Sequence, residues 1–200
     1  MQKTKITNVR LLTTAAIAGA ISFVLMFLEL SLPIAPSFIK LDFSDIPALI
    51  LAFAFGPLAG VLTELIKNLL HLFITSTAGI GELSNFLLGC AFVVPAGWIY
   101  RFHKTRKGAL LGMLAGTLCF SVFGIFSNLF LMFPFYTKVV GFPMAAIIAE
   151  CQKIIPFVDS QAKVILISVT PFNLLKGVLE SLVTFFLYKR ISPLLKRCKA

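Results

Sequence analysis

The stretch Val164-Ile-Leu-Ile-Ser-Val-Thr-Pro171-Phe-Asn173-Leu-Leu-Lys176-Gly-Val-Leu-Glu180 lies in the last long apolar run of the chain, and its lysine stands where lipid would otherwise be. An ammonium group near the middle of a bilayer costs roughly 2.5–3.5 kcal/mol even on the lenient insertion scale. Such a residue has to face a protein interior or a wet cavity. Asn173 precedes Lys176 by three positions and shares its helical face. The stretch reads as a membrane helix with one polar face, and Asn173 and Lys176 are the first candidates for contact with a ligand.

Working outward, the composition agrees. Of 200 residues, 58% are hydrophobic and 13% charged, against roughly 45–50% and 25% in soluble domains. Mean hydropathy is +0.97. The reading is an all-α integral membrane protein, one domain over 1–200, with six transmembrane helices over about 11–30, 43–55, 57–75, 82–100, 108–133 and 164–188. The span over 43–55 falls well below the ~20 residues that cross 30 Å of hydrocarbon, so neighbours have to shelter it. A proline-rich loop over 31–40 follows the first span, and 134–163 forms a long outside segment with a short surface helix over 145–153. The first run is about twice as long as the 7–15-residue core of a signal peptide and reads as an uncleaved helix.

The net charge of +10 is topogenic. Lys3, Lys5 and Arg10 precede the first span, Arg101, Lys104, Arg106 and Lys107 share one loop, and Lys189, Arg190, Lys196, Arg197 and Lys199 close the chain. An even number of spans puts all three groups on one side, so both termini are expected in the cytoplasm. No aromatic residues interleave with these charges, which argues against a nucleic-acid partner. Cys90, Cys119, Cys151 and Cys198 lack Cys-x-x-Cys spacing, and His71 and His103 are isolated, so neither a disulfide framework nor a metal site is expected.

Polar residues inside the spans collect towards the outer half: Asp42 and Asp45, Glu64, Lys67 and Asn68, Glu82 and Asn85, Asn128, Asn173 and Lys176. Glu180 alone sits clearly in the inner half. This predicts a cavity open to the outside and closed below, whereas a channel would need polar lining from side to side. Two pairings without ligand compete with this reading, Glu64 with Lys67 and Lys176 with Glu180, at helical spacings of three and four. Two small-residue ladders, Ala15/Gly19 with Ala16/Ala20 and Gly108/Gly112/Gly116, serve either packing within the bundle or docking of another membrane subunit.

Several segments together resemble one family. Lys40-Leu-Asp-Phe-Ser-Asp-Ile-Pro47, Phe55-Gly-Pro-Leu-Ala-Gly60, Glu64-Leu-Ile-Lys-Asn68, Gly81-Glu-Leu-Ser-Asn-Phe86, Lys104-Thr-Arg-Lys-Gly108 and Pro171-Phe-Asn-Leu-Leu-Lys-Gly177 are similar to the riboflavin-specific substrate-binding (S) component of energy-coupling-factor (ECF) transporters. The resemblance covers essentially the whole chain. It implies the six-helix S-component fold in a bacterial cell membrane, with riboflavin captured from outside; FMN and flavin analogues stay open as further ligands. It implies as partners a transmembrane coupling subunit, met by the first-helix face Ala15, Ala16, Gly19 and Ala20, and two cytoplasmic ATPases. Carried over by motif, Asn128, Asn173 and Lys176 contact the flavin, Leu41, Asp42 and Phe43 contribute from the first loop, and Glu82 or Asn85 from the fourth span. The chain contains no Gly-Lys dipeptide and hence no phosphate-cradling loop, so ATP is used by the partners and no cofactor is expected here. An S component for another vitamin, and a membrane enzyme using Glu64 or Glu180 as a base, are the alternative readings.

Overall fold

The computed structural model describes residues 2–31, 40–75 and 77–197. Most of the proline-rich loop (32–39), Ser76 and Cys198 lie outside the described residues. Helix α1 (Gln2–Met26) leads into a short antiparallel ribbon, β1 (Leu30–Ser31) and β2 (Lys40–Leu41), with Leu30 opposite Leu41 and Ser31 opposite Lys40. The ribbon corrects the all-α expectation. Strands of two residues carry no periodicity for a sequence to show.

Then come α2 (Ile46–Phe55), α3 (Pro57–His71) with a 3-10 turn at Leu72–Ile74, α4 (Ile80–Phe102) and α5 (Arg106–Ser127). Wide π-helical turns at Asn128–Met132 and Phe135–Val139 extend α5 past the boundary at 133 that Pro134 predicts. These turns carry the proline inside the helix, and Thr137 Oγ1 donates to the Phe133 carbonyl at 2.8 Å. The segment outside the spans is shorter than expected by that extension. It holds α6 (Met144–Gln152) and ends at α7 (Gln161–Lys163), from which π turns over Val164–Val169 run into α8 (Thr170–Arg197).

Among the described residues, five segments are long and apolar enough to cross a membrane: Val9–Met26, Pro57–Ile74, Ile80–Phe102, Arg106–Val139 and Gln161–Tyr188. The expected short span over 43–55 falls on α2, an apolar helix of 10 residues that is only ~15 Å long. Its burial explains how it survives: Ile46, Ala48, Leu49, Ile50, Leu51, Ala52 and Phe53 are all covered by neighbours. A helix buried on every side needs no polar face. Gly56, at φ +103°, supplies the sharp turn into α3 that a side chain would strain.

The main core joins Leu49, Ala52 and Phe53 of α2 to Phe92, Val93 and Ala96 of α4 and Ala109, Met113 and Phe120 of α5. Its tightness comes from the α5 glycine ladder. A Cβ on Gly112 would lie 2.7 Å from the Ala96 carbonyl oxygen, and one on Gly116 2.6 Å from that of Phe92. That ladder packs α5 on α4 and presents no docking face. A second core, at the end of the bundle where α6 lies, gathers Phe133, Ile147, Cys151, Val158, Val164, Ile165 and Val169.

The ladder on α1 is divided between two faces. Ala15 and Gly19 are buried, and a Cβ on Gly19 would collide with Ile66 of α3. Ala16 and Ala20 are exposed on the opposite side. Of the expected docking residues, Ala15 and Gly19 are spent on packing within the bundle, because a helix seated on α3 can offer only its far side to another protein. Cys90, Cys119 and Cys151 are free thiols.

Candidate ligand-binding site

A cavity of about 420 Å³ opens between α3, α4, α5, α6 and α8 at the end of the bundle that holds the ribbon and α6. It falls in the roughly 300–1,000 Å³ range of small-molecule sites. Asp42, Glu82, Asn85, Asn128, Asn173 and Lys176 line it, with aromatic walls from Phe120, Phe133, Tyr136 and Phe172. The structure thus brings together six of the eight expected ligand residues. Leu41 and Phe43 do not line the cavity: they pack with Phe172, behind the wall that it presents. Their apolar side chains gain more from that burial than from a partly wet surface.

Lys176 is 7% exposed, and its Nζ donates to Asp42 Oδ2 at 2.8 Å, with Asp45 Oδ2 at 3.6 Å and the Phe120 ring centroid at 6.0 Å. Asp42 is held for this task by its own backbone, since Oδ1 accepts from Ser44 N–H at 2.8 Å. The pairing of Lys176 is therefore with the first loop, and not with Glu180 a turn below. Both Glu180 carboxyl oxygens are buried without a hydrogen-bond partner among the described residues.

Behind Asp42 lies a second ion-pair group. Lys67 bonds to Asp45, Nζ lies 2.6 Å from Glu64 Oε2, and Ser44 Oγ accepts at 3.3 Å. The Glu64–Lys67 contact is the helical pair that spacing predicts. Its surroundings are specific, because Gly89 of α4 leaves the space that the Glu64 carboxyl fills, and a Cβ there would collide with it. Glu64 and Glu180 are both 0% exposed and neither lines the cavity. Neither can act as a base on a molecule held in the cavity.

The amides differ from one another. Asn128 Nδ2 folds back to the Gly124 carbonyl at 2.8 Å, within its own helix. Asn173 Nδ2 is buried and has no partner among the described residues. It rests against Gly124, where any Cβ would collide with it. A buried donor without an acceptor costs about 1–3 kcal/mol, and Asn173 is itself one of the residues that line the cavity.

At the mouth, Glu82 accepts from His71 (2.8 Å to Nδ1), Thr75 Oγ1 (2.9 Å) and Thr77 Oγ1 (3.0 Å). His71 also packs its ring near Phe23 and Phe27 of α1. Glu82 thus braces the start of α4 to the end of α3 as well as lining the cavity. His71 and Thr77 are lining residues that the sequence reading misses. The available signal was the cluster of hydroxyls at 75–77 just ahead of an intramembrane glutamate.

The whole arrangement is a cavity of small-molecule size with charged and amide side chains set among aromatic walls. A family model for "ECF transporter, substrate-specific component" matches residues 10–188. This chain is an ECF-transporter substrate-specific component. It is 35% identical to the riboflavin transporter RibU of Staphylococcus aureus, over 95% of this chain and 94% of that one. It is 31% identical to the riboflavin transporter FmnP of Bacillus subtilis, over 93% and 94%. A solved structure described as the S component of a bacterial ECF transporter superposes with a TM-score of 0.72 at 31% identity, covering 95% of this chain and 99% of that one.

Proposed function

We propose that this substrate-specific component captures riboflavin in the cavity and delivers it for uptake across a bacterial cell membrane. The observation that carries the proposal is a cavity lined by both Lys176 and Asn173, whose amide donor has no partner among the described residues. An isoalloxazine edge offers carbonyl oxygens and ring nitrogens that accept from both. Phe120, Phe172 and Tyr136 supply the apolar faces that a tricyclic ring needs. The ribityl hydroxyls fit the polar mouth, where Asn85, Asn128 and Thr77 lie. The names of the relatives at 31–35% identity favour riboflavin over another vitamin.

In this reading the cavity faces outward and both termini are cytoplasmic. Support comes from α4, which begins beside the cavity at Glu82 and ends 20 residues later at the cationic stretch Arg101–Lys107. A helix of that length puts the basic loop ~30 Å from the mouth, on the side where positive charge is retained. Five long helices and the sheltered α2 make six passages. Exposed Ala16 and Ala20 form the smooth face for the coupling subunit, and ATP is hydrolysed by the two ATPase partners. Titration of the purified chain with riboflavin tests this directly. Stoichiometric quenching of flavin fluorescence is expected; no quenching, in protein that also carries no flavin absorbance, refutes it.

A further inference from the structure

We propose that Lys67, which lines no part of the cavity, is a positioning residue for ligand recognition: by holding Asp45, it leaves the Lys176 ammonium free to face the cavity. The inference rests on the riboflavin reading above for its functional assay and on the ion-pair geometry for its substance.

Asp45 stands between two cations, with Oδ1 on Lys67 and Oδ2 3.6 Å from Lys176. An ammonium has three N–H donors. Lys176 spends one on Asp42 at 2.8 Å, and 3.6 Å is too long for a second hydrogen bond to Asp45. Two donors remain for a molecule in the cavity. Lys67 has none to spare, because Asp45, Glu64 and Ser44 surround it and it is 0% exposed. Asp45, which lies against both cations, is the direct link from Lys67 to Lys176.

Without the Lys67 charge, Lys176 is the one cation in reach of Asp45 among the described residues. Attraction between charges is strong in a buried setting, and closing the 3.6 Å gap needs less than about 1 Å of movement at the end of a flexible four-carbon stem. The ammonium would then bridge Asp42 and Asp45, turn from the cavity and lose a donor. Of the other carboxyls, Glu64 lies beside Lys67, and Glu180, one turn along α8, makes no hydrogen bond.

Two double variants of equal net charge test this, Lys67→Met/Asp45→Asn and Lys67→Met/Glu64→Gln, titrated with riboflavin beside the unmodified chain. The first removes the competitor along with its guard and is expected to bind about tenfold or more tightly than the second, the worth of one charge-assisted hydrogen bond. A merely structural role for Lys67 predicts equal affinities, or better binding when Glu64 is neutralised; either result overturns the proposal. Lys67→Gln replaces Lys67→Met in both backgrounds should methionine prevent folding.

A crystal structure of the ligand-free Lys67→Met/Glu64→Gln protein gives a second answer that needs no riboflavin. Lys176 Nζ is expected within about 3.2 Å of Asp45; an ammonium still seated on Asp42 alone overturns the proposal. An unmodified chain that binds no riboflavin would count against the functional reading only, and the crystal structure would still decide this one.

Discussion

Gly124→Ala is the most discriminating perturbation of the site, because it adds one methyl group and alters no polar atom. The new Cβ would lie 3.3 Å from Asn173 Cγ and inside contact distance of Nδ2. Flipping the amide puts its oxygen in the same place, so relief has to come from swinging the side chain off its rotamer. That costs of order 0.5–1.5 kcal/mol, and the displaced donor forfeits a hydrogen bond of about 0.5–1.5 kcal/mol. The strain is borne by the free and the bound protein alike and cancels in binding, so the lost hydrogen bond sets the expected effect, about 2- to 13-fold in riboflavin Kd. Fluorescence-quenching titration in detergent measures it, with Asn173→Ala and the double variant completing a mutant cycle. Once the amide is gone, the added methyl has nothing to displace, so Gly124→Ala should cost little in the Asn173→Ala background. A single variant within twofold of the unmodified chain, or full additivity in the cycle, would refute the reasoning.

Three further outcomes are expected. Lys176→Met strands Asp42 in the interior and should cost roughly 3–5 kcal/mol of stability as well as riboflavin binding; adding Asp42→Asn should restore the thermal midpoint without restoring binding. Ala16→Trp and Ala20→Trp should spare riboflavin binding and block uptake in cells supplying the coupling subunit and ATPases, whereas Ala15→Trp and Gly19→Trp should lower the yield of folded protein because those positions press on α3. Glu82→Gln replaces a carboxylate that accepts from His71, Thr75 and Thr77, and a thermal-shift assay should show a loss of about 1–3 kcal/mol.

Lys176 and Asn173 were legible because a charge and an amide inside an apolar run have few explanations. The partner of Lys176 was not, since Asp42 lies 134 residues away in sequence and helical spacing offered Glu180 instead. Local rules did find the Glu64–Lys67 pair, where the spacing of three is itself the contact. They could not show that Asp45 joins it, or that Gly89 makes the room. The small-residue ladders illustrate the same limit. Spacing shows that a helix can approach something closely, but only the fold shows that α5 approaches α4 and that α1 divides its ladder between two faces. The extension of α5 through Pro134 is not legible in the sequence, because π turns leave no pattern there.

The shortness of α2 has a consequence for how the protein is made. A helix of 10 residues that opens on Asp42 and Asp45 has no stable resting place in lipid when it leaves the ribosome. The next helix brings Lys67 to Asp45 as soon as the α2–α3 hairpin closes across Gly56. Asp42 has to wait for Lys176, 134 residues later, and synthesis at ~5–20 residues per second makes that an interval of seconds. The cavity, which Asp42 and Lys176 both line, thus cannot be finished before the final helix inserts.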